Sequence, residues 1–111
     1  MNSYRLYILM FNALDYEYDL NKNQNLGSYL ADLNPFLFEG ENSADSYYYD
    51  DFKREFEKLN KDKLFDAEVS YKFCLDFIKK ENVKEAVEAF EEFDKKRWTE
   101  VFNGILLNES T

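Results

Sequence analysis

Apolar residues recur at three-and-four spacing along most of this chain, which is the signature of helices that each turn one face to a core. Tyr4, Ile8, Phe11, Leu14 and Tyr18, widened by Tyr7 and Met10, predict a first helix over residues 3 to 20, capped by Asn2 or Ser3. The polar run 21 to 25 breaks the pattern. Leu26, Tyr29, Leu30 and Leu33 then predict a short second helix that Asn34-Pro35 ends. Pro35 opens an apolar loop, PFLF, expected to fold as a plug over one end of the bundle rather than stand exposed.

A third helix is expected from near Ser43 or Asp45 to about Leu59, with Tyr48 or Tyr49, Phe52, Phe56 and Leu59 inward. Asp66 would cap a fourth, in which Val69, Phe73 and Phe77 form one stripe and Cys74, Leu75 and Ile78 the next; an apolar arc that wide predicts a central position. Asn82 followed by Glu85 looks like a capping box at the head of a fifth helix. Asp94 would cap the last, carrying Trp98, Val101, Phe102, Ile105 and Leu106. Strand formers are scarce, and no fixed-period repeat or linker interrupts the run. The fold class expected is all-α, a single domain over residues 1 to 111 built as a compact bundle of five to six helices.

Composition supports folding. Hydrophobic residues make up 45% of the chain and aromatic residues 19%, enough apolar surface to offset the entropy of ordering 111 residues. It also excludes chemistry. Histidine is absent, so Ser/His/Asp and Cys/His catalysis and the usual zinc ligand are unavailable. Gly27, Gly40 and Gly104 are isolated, which leaves no phosphate-cradling loop. Asp15, Glu17, Asp19 and Asn21 alternate like calcium ligands and Asn21, Asn23 and Asn25 repeat the pattern, yet counting from Asp15 or from Asn21 no Gly stands at the sixth position and no Glu at the twelfth. The single cysteine, Cys74, forms no internal disulfide and is expected as an inert core thiol. Neither an enzyme nor a cofactor-binding or metal-binding protein is expected. The longest apolar run, Leu6 to Phe11, is too short for a membrane span or a signal-peptide core, and a cytoplasmic location is expected.

Charge adds a location. The net charge is −9, and residues 1 to 51 hold nine acids against Arg5 and Lys22 alone. Such a field repels nucleic acid and anionic membrane and attracts cationic partners. Within that half, FEGENSADSYYYDD (38 to 51) carries five carboxylates, no base and three consecutive tyrosines. Successive helical residues turn by about 100°, so the three rings cannot share one core. With Phe52 and Phe56 inward, Tyr48 and Tyr49 are the core or boundary residues and Tyr47 points outward beside Asp50 and Asp51. The partner-binding surface expected is therefore Tyr47, Asp50 and Asp51, with Asp45, Glu41 and Glu39 on the preceding loop.

A small, acidic, helical, His-free chain with a tyrosine run among acids resembles the bacterial toxin-immunity proteins, of which the colicin-nuclease immunity family is the best understood. The resemblance rests on about ten residues around Tyr47 to Asp51. It implies a rigid bundle that binds and blocks a basic nuclease toxin, with tandem tyrosines as anchors and surrounding acids giving specificity. Here the run is triple, so the tandem pair maps onto Tyr47-Tyr48 or Tyr48-Tyr49. The function expected is stoichiometric inhibition of a cognate cationic toxin domain. The alternative is a phage-type or regulatory inhibitor that mimics nucleic-acid charge, which should spread its acids along a stripe instead of gathering them in a patch.

Overall fold

Asn2 holds an extended backbone at the head of the first helix and its side-chain oxygen accepts the Arg5 N–H at 2.8 Å, so α1 (Ser3–Asn21) begins with a satisfied donor. It ends at Lys22, which turns left-handed (φ 52°) and donates its N–H to Tyr18 O at 2.7 Å. This computed structural model describes residues 1–36, 40–59 and 65–109. Among them are five further helices: α2 (Gln24–Leu33), α3 (Ser46–Leu59), α4 (Ala67–Lys80), α5 (Lys84–Glu92) and α6 (Lys95–Glu109). No strand occurs among the described residues, and the all-α class stands.

Caps explain most boundaries. Asn23 accepts the Leu26 N–H at 3.1 Å to start α2, Asp66 the Val69 N–H at 2.9 Å to start α4, and Asp94 the Lys96 N–H at 2.9 Å before α6. The α4–α5 junction differs from the capping box expected there. Asn82 adopts φ 60° and donates its N–H to Lys79 O at 3.1 Å, closing α4 instead of opening α5. Asparagine tolerates that left-handed conformation because its short polar side chain relieves the strain. Val83 is then the N-cap of α5 without a side-chain bond, and Glu85 reaches across to Asn25 at 3.0 Å.

α1 lines the core along most of its length: Leu6, Tyr7, Met10 and Leu14 are wholly buried, and α1 packs on α2, α3 and α5, while α4 packs on α5 and α6 and meets α3 through Phe73, Phe77 and Lys80. Against α2 the approach is close. A Cβ on Gly27 would stand 2.8 Å from the Tyr18 ring.

Edge-on aromatic rings join the layers. Tyr7 meets Tyr49 and Phe52 at 5.2 Å each, and Phe52 continues to Phe73 and Phe77 at 5.1 Å, linking α1 through α3 to α4. Each such pair adds roughly 1 kcal/mol beyond its buried area. Trp98 is wholly buried, and its Nε1–H is satisfied by Ala67 O at 3.2 Å and Ser70 Oγ at 3.1 Å. Of the apolar loop expected as a plug, the described half divides. Pro35 is buried, but Phe36 touches Phe11 edge-on and stays 58% exposed; Leu37 and Phe38 lie outside the described residues. No described helix is long and apolar enough to cross a membrane.

Candidate functional site

The start of α3 is built against the end of α2. Asp32 O and Asn34 O, carbonyls left over where α2 stops, accept the Asp45 and Ala44 N–H groups at 2.9 Å each. Ser43 is buried, donates its hydroxyl to Asp45 O and accepts the Tyr49 N–H at 3.1 Å. Asp45 holds the first turn of α3 twice, with its side chain on the Tyr47 N–H and its carbonyl on the Tyr48 N–H, both at 3.1 Å.

This anchored turn splays the three tyrosines. Tyr49 points inward, 2% exposed, with its Oη 3.1 Å from Ser3 Oγ on α1. Tyr48 is half-buried, edge-on to Tyr29 at 5.8 Å and to Tyr47 at 5.7 Å. Tyr47 is 56% exposed. The result is a tyrosine ladder that climbs from the core to the surface.

Acids act on the middle rung. Burial first, and then the negative charges of Glu81, Asp32 and Asp45, hold the Tyr48 phenol above its ordinary range. Asp32 comes from the end of α2, Asp45 precedes α3 and Glu81 is the C-cap of α4. Charges from the end of α2, the turn before α3 and the end of α4 thus act on one phenol. Burial also raises the Glu81 carboxyl; Lys80 pulls it back down and Asp51 pushes it up again.

Of the site residues expected from sequence, Tyr47, Asp45, Asp50 and Glu41 are exposed on or beside this turn. Glu39 lies outside the described residues. Asp51 is placed differently from expectation. It is 8% exposed, and its Oδ2 accepts from Lys80 Nζ at 2.5 Å while Arg54 stands 3.8 Å from Oδ1. The C-terminal turn of α4 covers that flank of α3, so Asp51 acts as an interhelical tie and not as part of the open face.

Sequence reasoning missed Asp32, Glu81 and Tyr29. Glu81 has no local signal, because it reaches the ladder only through the packing of α4. The alternating acids of α1 do not converge: Asp15 is half-buried, Glu17 buried and Asp19 exposed. Among the described residues, no group of three or more His, Cys, Asp or Glu side chains is placed to hold a metal ion.

No protein-family model matches this chain, and neither a curated protein sequence nor a solved structure matches it.

Proposed function

We propose that this protein acts by stoichiometric binding of a basic protein, as an immunity protein of the cytoplasm that neutralises a cognate cationic toxin of nuclease type. The observation that carries the reading is the edge-on series Tyr29–Tyr48–Tyr47, running from the core to the surface, with the negative charges of Glu81, Asp32 and Asp45 acting on its middle phenol. An exposed tyrosine on a rigid helix gives contact area at small entropic cost, and clustered acids steer a basic partner and reject acidic ones. Blocking then follows from occlusion and needs no turnover. That acids from three segments act on one phenol favours a compact protein epitope over the extended stripe of a nucleic-acid mimic.

The test is calorimetric titration with the purified product of the gene beside this one, since immunity genes tend to adjoin their toxin genes. A one-to-one complex is expected, weakening as ionic strength rises from about 0.05 to about 0.3 M. Failure of that product to bind, or binding indifferent to salt, would overturn the immunity reading.

A further inference from the structure

Glu81 stands where its own fold disfavours it. It is the C-cap of α4, at the negative end of the helix dipole, where a carboxylate is destabilising. Its Oε1 is buried and has no hydrogen-bond partner. The adjacent cation, Lys80, is engaged with Asp51 at 2.5 Å. Beside it lies a second anomaly. Tyr29 is 4% exposed and its Oη is likewise buried without a partner. These are the two buried side-chain polar atoms that stand unpaired among the described residues, and of the charges acting on the Tyr29 phenol that of Glu81 is the largest. Buried polar groups are nearly always hydrogen-bonded, so two orphans in one corner call for a reason.

We infer that Glu81, backed by Tyr29 and flanked by Asp32 and Asp45, is the receptor for one lysine or arginine side chain of a basic protein partner. This rests on the binding role proposed above and gives it a chemical focus. A cation arriving from the solvent side adds to Lys79 and Lys80, already in the last turn of α4, a positive charge at Glu81, whose Oε1 has no hydrogen-bond partner. On binding, that carboxyl becomes the acceptor that the Tyr29 hydroxyl lacks in the free protein. The Tyr48 ring, half-buried and edge-on to Tyr29, offers an aromatic face to the stem and head of the incoming side chain. A long side chain suits the place better than a bare ion, because the surrounding carboxylates do not converge as a metal set.

The probe is a fluorescein-labelled oligo-arginine peptide, followed by anisotropy with the full chain. Glu81→Gln keeps the shape and removes the charge; Glu100→Gln removes an exposed charge on α6 and serves as the control. Glu81→Gln should weaken the peptide by about ten-fold and Glu100→Gln by less than about two-fold. Tyr29→Phe removes a hydroxyl that has no partner in the free protein, so it should weaken binding by about three-fold without lowering the thermal midpoint.

Failure of the wild-type chain to bind the peptide would remove the basic-partner reading and this inference together. Wild-type binding with Glu81→Gln no weaker than Glu100→Gln, or with Tyr29→Phe unchanged, would overturn the inference alone. Displacement of the peptide by calcium where sodium at equal ionic strength has no effect would assign the corner to a metal ion and overturn it as well.

Discussion

Asp51 Oδ2 on α3 lies 2.5 Å from Lys80 Nζ on α4, with the carboxylate side chain 11% exposed and the lysine 47% exposed. The Asp51 hydrogen bond, against the opposing effect of burial, raises the Lys80 pKa. A cation whose pKa is higher folded than unfolded stabilises the fold fully below its unfolded value, near 10.4, and loses that contribution as pH rises through the folded value. Because the ammonium is half in water, Lys80→Met should cost only about 0.5–1 kcal/mol at neutral pH. Asp51→Asn should cost more, about 2 kcal/mol, since it leaves a nearly enclosed polar group and an unpaired lysine. Urea unfolding from pH 6 upward checks both: the gap between wild type and Lys80→Met should close as pH rises past the unfolded lysine value and through the higher folded one.

Glu17 on α1 is 7% exposed and is approached by the charge of Glu92 on α5; burial first and then Glu92 raise its carboxyl above the usual range. For an acid shifted upward, protonation favours the folded state. That stabilisation is complete below the unfolded value near 4.3 and is lost as pH rises through the folded value. Glu17→Gln, neutral throughout, should therefore be more stable than wild type at pH 7 by about 1 kcal/mol, and the advantage should vanish below about pH 4. A variant less stable than wild type at pH 7 would mean that the Glu17 carboxylate is held by favourable contacts.

Cys74 is wholly buried on α4, and burial pushes its thiol pKa well up. Neither thiolate nor access is available in the closed fold, so a thiol reagent should label native protein only at the slow rate of local opening and denatured protein completely. Fast native labelling would place the thiol at the surface and reopen a redox role for it.

The helices were legible because each carries its own signals. Asn2, Asp66 and Asp94 sit one residue before the helices that they cap, and the three-and-four spacing of Leu26, Tyr29, Leu30 and Leu33 marks the face α2 buries. Signals failed where two local roles compete. Asn82 suits both an N-cap and a left-handed helix end, and with φ 60° and its N–H on Lys79 O it serves as the second. The site was half legible for a related reason. Helical phase alone separates Tyr47 from Tyr49, which are 56% and 2% exposed, but it cannot know that Lys80, 29 positions on, reaches back to Asp51. Nor can it bring Asp32 and Glu81 to the Tyr48 ring, since their meeting depends on tertiary packing and leaves no mark in either segment.

The three tyrosines should separate binding from stability. Tyr47 is mostly in solvent and touches the protein chiefly through the edge of Tyr48, so Tyr47→Ala should change stability by less than about 0.5 kcal/mol while weakening a basic partner by roughly 2 kcal/mol, as interface aromatic anchors do. Tyr49 is enclosed by Tyr4 and Tyr7 and bonded to Ser3, so Tyr49→Ala should cost about 3–5 kcal/mol of folding free energy, as large-to-small core changes do. Tyr48 packs on Tyr29 and borders Glu81, Asp32 and Asp45, so Tyr48→Ala should affect both quantities. Asp50 is exposed; Asp50→Asn should act mainly through the association rate, with an effect that shrinks as salt screens the encounter. Chemical denaturation and stopped-flow association on the four variants supply the comparison. If Tyr47→Ala and Asp50→Asn bind like wild type while substitutions of Asp15 and Asp19 abolish binding, the partner meets α1, and the tyrosine ladder is a structural edge of the bundle.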